Sequence, residues 1–379
     1  MPAEAIDRFL WFLIFTFETQ LNIRPLKRFF RSIVVFLNLI VAVALLIIYL
    51  SVKVSPQDIW APALLGLAYP YILFVNILFV LYWLFSSPKW SLLSLVIILA
   101  GYAHLQNYFQ FSAKETDNKG IVVCSYNVKG LGAKGYKQIK QNAQTILDHV
   151  KAKNPDIVCF QEMAFISWEG YPWFKKNFDL KGLPKYADAS RKHGPVTFSN
   201  FPIINKDEIH FDNTSNMIIL TDVVTPTDTI RIFNCHLESY RFTPTDISSL
   251  DSISLEKQGE NMKEVRLFGS KLKKAFIKRA EQAEELRKQI DNSPYPVLVC
   301  GDFNDTPVSY AYHTVRGDLK DAFVESGAGI GNTYLGRLPS FRIDYIMHSP
   351  IFDGYNFKID HVDYSDHYPV SCTLIRKEE

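Results

Sequence analysis

Pro296-Val297-Leu298-Val299-Cys300-Gly301-Asp302-Phe303-Asn304-Asp305-Thr306-Pro307 is the stretch on which the reading of this chain turns. Val297–Cys300 is a short apolar run closed by glycine, the pattern of a strand covered on both faces. Gly301 lets the backbone turn at the strand end, which sets Asp302 and Asn304 at the mouth of a sheet. A carboxylate and an amide two residues apart can address one centre, the first facing a cation and the second a phosphate oxygen.

Working outward, 379 residues leave room for one large domain and something more. Hydrophobic content is high at 48 %, with 28 Phe and 19 Tyr, and the excess lies before residue 113. Seven of the 41 basic and four of the 39 acidic residues precede residue 114, so the remainder is close to neutral. That balance lacks the basic footprint of a nonspecific nucleic-acid binder, although a local patch would escape it. Cys124, Cys159, Cys235, Cys300 and Cys372 lie in apolar runs, odd in number and without a Cys-x-x-Cys pair, and read as free core thiols.

Residues 1–113 read as a membrane region. Residues 9–17 are apolar but too few to cross a bilayer, and suit an interfacial helix. The basic cluster Arg24, Lys27, Arg28 and Arg31 precedes the uncharged run Ser32–Val52, and uncharged runs follow at residues 59–88 and 90–113. About three transmembrane helices are expected, with two as the fallback. Three crossings with the basic cluster held in the cytoplasm make the following domain extracytoplasmic; five free thiols suit a reducing compartment, but buried thiols are inert wherever they are, and the charge rule is followed.

Residues 114–120 form a polar linker, and 121–379 carry the pattern of an α/β domain. Strands are predicted at 121–126, 156–160, 196–199, 217–224, 230–235, 297–300, 342–347 and 370–375, with helices at 136–153 and 263–290. Eight strands with few helices exceed one doubly wound sheet and predict two packed mixed β-sheets flanked by helices. Polar groups gather where these strands end: Asn127; Gln161-Glu162; His236-Leu237-Glu238; Gly301-Asp302-Phe303-Asn304; Arg342-Ile343-Asp344-Tyr345; and Ser365-Asp366-His367. Each alone has a bland reading as a cap, a solvated acid or a core imidazole; six together do not.

In order and spacing these motifs resemble the endonuclease/exonuclease/phosphatase superfamily, of DNase-I-like fold, over roughly residues 119–376. The resemblance implies a four-layer α-β-β-α sandwich and a Mg2+-dependent phosphoesterase, with Mn2+ as a possible substitute. It implies Glu162 as the main carboxylate ligand of the metal, with Asn127 and Asp366 beside it. It gives His367 as the base acting on water, Asp344 as the acid that orients it, Asp302 and Asn304 as the pair that positions water and phosphate, and His236 as the group at the phosphate or leaving oxygen. One line departs from the family's frequent Gly-x-Ala-x-x-Ser: the chain reads Gly194-Pro195-Val196-Thr197-Phe198-Ser199, in which Pro195 fixes φ and removes an N–H, beside Arg191, Lys192 and His193.

The expected protein is a membrane-anchored hydrolase acting on a phosphodiester or phosphomonoester, with a lipid or membrane-associated ester as substrate. Its partner is the membrane, through the N-terminal region. A nuclease acting on DNA or RNA and a non-catalytic binding protein on the same fold are the alternatives. Residues 241–261 are expected to form a polar lid, and the basic helix after them, including Lys271, Lys273, Lys274 and Lys278, to lie near anionic head groups.

Overall fold

The structure is a computed structural model, and it describes residues 23–132, 136–163, 176, 180–189, 194–243, 245, 246, 248, 258–336 and 341–378. The expected interfacial helix at 9–17, most of the expected lid, and Arg191, Lys192 and His193 fall outside them. The chain divides into two compact units. One comprises the described residues up to Ile47 with Tyr69–Gly101, and the other Ile48–Ala68 with the chain from Tyr102 onward.

The first unit is helical. Leu26–Ser51 and Tyr69–Ser86 are long and apolar enough to cross a membrane. The expected third span is instead split into Ser91–Ala100 and Tyr102–Gln106, of 10 and 5 residues, against the roughly 20 a bilayer requires. Large apolar side chains face outward along these helices, Phe85 at 91 % exposure among them, which water would penalise and lipid would not. Inside, polar side chains satisfy one another. Trp83 Nε1 donates to Asn38 Oδ1 at 2.9 Å, Asn38 Nδ2 to Ser94 Oγ at 2.6 Å, and Ser94 Oγ to Asn76 Oδ1 at 2.9 Å. Such a chain joins helices where apolar contact alone gives no preference for helix over lipid.

The second unit holds two six-stranded sheets. Its strands are β1 (Ile121–Asn127), β2 (Ile157–Met163), β3 (Tyr186–Ala189), β4 (Gly194–Ser199), β5 (Ile203–His210), β6 (Met217–Val224), β7 (Thr229–His236), β8 (Val297–Asp302), β9 (Lys320–Asp321), β10 (Asp344–His348), β11 (Phe352–Ile359) and β12 (Val370–Arg376). The first sheet runs β11-β12-β1-β2-β4-β3 and the second β9-β10-β8-β7-β6-β5. Each is antiparallel except at its centre, where β1 pairs parallel with β2 and β7 with β8. These two parallel pairs end at Asn127, at Gln161-Glu162, at His236 and at Asp302, so their C-terminal ends gather the polar groups.

Alternation along the strands separates three cores. Val123, Ile157 and Cys159 of the first sheet meet Ile232, Leu298 and Cys300 of the second between the sheets. Their neighbours point outward: Cys124, Val158 and Phe160 lie beneath Ile146, Leu147 and Val150 of the helix Tyr136–Lys151. Phe233 and Val299 lie beneath Ala283, Leu286 and Ile290 of the helix Gln258–Asp291. The result is the expected α-β-β-α sandwich. The helix buries Leu272, Phe276, Ala280, Ala283, Leu286 and Ile290, whereas Val265 is 48 % exposed. All five cysteines are buried and free.

Gly301 is required where it stands. Its φ is +145°, and a Cβ there would come within 2.0 Å of the Cys235 carbonyl oxygen on the parallel neighbour.

Candidate active site

Strand register builds the centre of the site. Asp302 pairs with His236 on the parallel strand β7 and with Asp344 on the antiparallel strand β10, so the three form one row. His367 closes on this row from the segment before β12. Its Nδ1 lies 2.9 Å from Asp344 Oδ2 and its Nε2 3.7 Å from Asp302 Oδ2. Thr333 Oγ1 accepts the Ile343 and Asp344 amides, fixing Asp344 from behind. Arg342 turns away from Asp344 and forms a buried pair with Asp321 at 2.8 Å.

Glu162 reaches the site through a β-bulge. Phe160 pairs with Val196 and Met163 with Gly194, so Gln161 and Glu162 together oppose Pro195. Proline has no N–H to give to a ladder, and a bulge is where a sheet tolerates that. Glu162 takes φ +50°, a conformation that costs a non-glycine residue energy and is held only where surrounding structure enforces it. Gln161 points the other way, into the sandwich, and donates to Asn234 Oδ1 at 2.8 Å across the sheets. It therefore clamps the two sheets and does not enter the site.

Asn127 connects the two sides: its Nδ2 lies 3.1 Å from Glu162 Oε1 and 2.9 Å from Asp302 Oδ2. Ser365 Oγ donates to the Asn127 carbonyl at 2.8 Å, which ties the Ser365-Asp366-His367 segment to the end of β1. Asn304, at φ +52°, donates its amide N–H to Asp302 Oδ1 at 2.7 Å and its side-chain N–H to the Leu237 carbonyl at 2.9 Å. Glu162, Asn304, Asp366 and His367 line one cavity. Every residue expected in the site is thus brought to one place, with Asp366 at the rim against Lys129 Nζ, 2.5 Å away. Lys129, Thr333 and Tyr334, whose ring packs edge-on 5.1 Å from His367, complete it. Only the spacing of Lys129, two residues after Asn127, signalled any of these three in the sequence.

Burial disfavours charge on Asp302, and with Asp344 beside it the carboxyl is pushed up to about 6 despite the two histidines. Burial pulls the His367 imidazole down, but Asp344 and Asp302 outweigh it and raise the ring to about 10. Among the described residues two clusters, Glu162–His236–Asp302 and Asp302–Asp344–His367, each bring their ligand atoms within 4.8 Å of one another. His236 Nε2 is buried without a hydrogen bond, 3.4 Å from Glu162 Oε1. The carboxylate oxygens of Glu162 and Asp302, with His236 beside them, form a donor set that fits a divalent cation.

Comparison with known proteins adds three findings. Residues 124–367 match the Endonuclease/Exonuclease/phosphatase family, and residues 31–108 match a domain of unknown function. No curated protein matches the chain. Solved structures similar to it include an endonuclease/exonuclease/phosphatase family protein from Bacteroides thetaiotaomicron (18 % identity, TM-score 0.49, covering 69 % of this chain and 100 % of that one). Truncated Caenorhabditis elegans TDP2 (19 %, 0.47, 67 % and 96 %) and the human Nocturnin catalytic domain with bound sulfate (17 %, 0.46, 68 % and 95 %) are also similar.

Proposed function

This chain belongs to the endonuclease/exonuclease/phosphatase family and is a hydrolase of phosphate esters, and from that premise we propose a membrane-anchored, Mg2+-dependent phosphoesterase acting on a lipid or membrane-associated substrate. The row His236–Asp302–Asp344, with His367 and Glu162 on either side, carries this reading. Glu162, Asn127 and Asp366 would hold the cation. When bound, it would neutralise charge developing on the phosphoryl oxygens.

The chain's own groups handle the protons. Asp302, His367 and Asp344 act as one unit that takes a proton from the attacking water as its oxygen bonds to phosphorus. Asp344 holds the ring through Nδ1 and leaves Nε2 facing the reaction, and a carboxyl near 6 is suited to accepting a proton close to neutrality. Asn304 is locked through its backbone and side chain, so it orients the phosphate without reorganising. His236 gives a proton to the leaving oxygen as the ester bond breaks.

Two apolar helices with outward-facing Phe and Leu support the anchoring. With two crossings, the charge rule keeps the catalytic unit on the same side as Arg24–Arg31, and five free thiols suit that cytoplasmic side; a third crossing would reverse it. The test is a screen of full-length protein in detergent against phospholipids, inositol phosphates and nucleic acids, with Mg2+ and with chelator. Chelator-sensitive hydrolysis of a lipid ester is expected. Hydrolysis confined to nucleic acid would overturn the substrate class, and no hydrolysis at all would overturn the enzyme.

A further inference from the structure

One wall of the catalytic cavity is apolar, and the way its rings are packed restricts what they can bind. The cavity lined by Glu162, Asn304, Asp366 and His367 has a volume of about 270 Å³ and is lined as well by Leu67, Tyr240, Phe242 and Phe341. Tyr240 and Phe242 belong to one continuous stack. The Arg279 guanidinium lies 4.4 Å from the Tyr240 ring centroid. Tyr240 and Phe242 stack at 5.5 Å and 18°, and Phe242 and Phe268 at 4.2 Å and 5°.

The stack is pinned at one end. Arg279 is fully buried, donating from Nε to Asp305 Oδ2 at 3.1 Å and from Nη1 to the Glu238 carbonyl at 2.7 Å. Rings whose faces are taken by neighbours turn C–H edges toward the cavity. A nucleobase binds an aromatic side chain through its face, so Tyr240 and Phe242 do not serve as a base-stacking platform. Edges and a leucine methyl surface instead suit aliphatic carbon. Leu67 also stands two residues before Tyr69 in the sequence, where the second apolar helix begins.

A second cavity of about 480 Å³ meets the first at Glu162, Ser239 and Arg241, and small residues, Gly130, Gly194 and Ser215, line it. Arg241 is set at this junction with φ +49°, its Nε 3.1 Å from Glu238 Oε1 and its Nη2 donating to Thr214 Oγ1 at 2.7 Å.

We propose that the site takes an asymmetric phosphodiester, with an aliphatic chain against Leu67, Tyr240 and Phe242 and a small polar alcohol in the second cavity, Arg241 standing between them. This rests on the phosphoesterase reading above and narrows its substrate. The probe is a series of water-soluble phosphodiesters of ethanolamine whose second substituent is an n-alkyl chain of two to eight carbons. Each is assayed below its micelle concentration with full-length protein in one fixed detergent and Mg2+.

For the parent protein kcat/KM should rise about fourfold with each methylene that the wall covers. Leu67→Ser and Phe242→Ser should each flatten that rise, and a dinucleotide should be a poor substrate for all three proteins. The slope against chain length does not depend on the fraction of active enzyme, and Leu67→Ser leaves the ring stack in place if Phe242→Ser does not fold. A slope of zero in an active parent protein, a slope unchanged in Leu67→Ser, or a dinucleotide hydrolysed best would overturn this inference and leave the phosphoesterase reading standing. Failure to hydrolyse any diester would remove both.

Discussion

Asp302 and Asp344 face each other across adjacent antiparallel strands, and the His367 ring stands between their carboxylates, 2.9 Å from one and 3.7 Å from the other. Two buried acids so placed would repel. The imidazole between them offsets that repulsion, and in the proposed reaction the three groups act as one unit.

Glu162→Gln, Asp302→Asn and His367→Ala should therefore each lower kcat by about 10³-fold or more with the fold retained, and pairs of these changes should cost little beyond the worse single one. Asp344→Asn should lower kcat with KM little changed, since it removes the charge that holds and orients the His367 ring. Turnover and circular dichroism on the same preparations check this; near-parental turnover in any of the first three sinks the assignment.

The proposed cation site predicts a binding signal independent of turnover. Mg2+ at about 100 times its dissociation constant should stabilise the protein by about 2.7 kcal/mol. Glu162→Gln should abolish the shift. A melting temperature indifferent to Mg2+ and to chelator in the parent protein would argue against Glu162, Asn127 and Asp366 as ligands.

Acid stability should depend on Glu325. Burial alone would raise its carboxyl, but His348 Nε2 at 2.9 Å, Lys320 Nζ at 2.6 Å and the Gly354 amide reverse this and hold it near 2, below its ordinary 4.5. The charged form is favoured in the folded state, so its contribution is complete above about pH 4.5 and disappears as pH falls toward 2. Glu325→Gln should be less stable than the parent at pH 7 and should converge with it across that window, as urea midpoints would show.

The pair Arg342–Asp321 is almost wholly buried, and Arg342 also donates from Nε and Nη2 to the Asn107 carbonyl. Asp321→Asn leaves a buried guanidinium without its counter-charge and should destabilise by about 3–5 kcal/mol. Chemical denaturation measures it; a loss under 1 kcal/mol would mean that Asn107 alone suffices.

Much of this architecture was legible in the sequence because the central strands are uniformly apolar: Val297–Cys300 and Met217–Val224 are buried almost throughout. Within the two six-stranded sheets, the four strands that escaped notice, β3, β5, β9 and β11, are the four sheet edges. Ile203–His210 contains Lys206, Asp207 and Glu208, and Phe352–Ile359 contains Gly354 and Asn356. Charge and irregularity are what an edge needs in order not to pair with another chain, and they also erase the alternation by which a strand is recognised. The third apolar run is two helices for a different reason: composition counts apolar residues but does not see the break at Gly101. The polar side chains of the site were visible as a set at strand ends, while Thr333, Tyr334 and the Arg279–Tyr240–Phe242–Phe268 stack depend on contacts between distant segments. The basic helix face proved partly committed, with Lys271 bonded to Asp246 and Lys278 to the Asn213 carbonyl.

The bulge opposite Pro195 makes the direction of Glu162 a matter of counting. Side chains alternate along a strand, so excising one residue between Phe160 and Met163 would restore an even ladder and reverse the face on which every later position of β2 emerges. A deletion there would therefore misdirect Glu162 as surely as a substitution would remove it, so both the number of residues in that interval and the carboxylate within it have to be kept for the proposed site to stay intact.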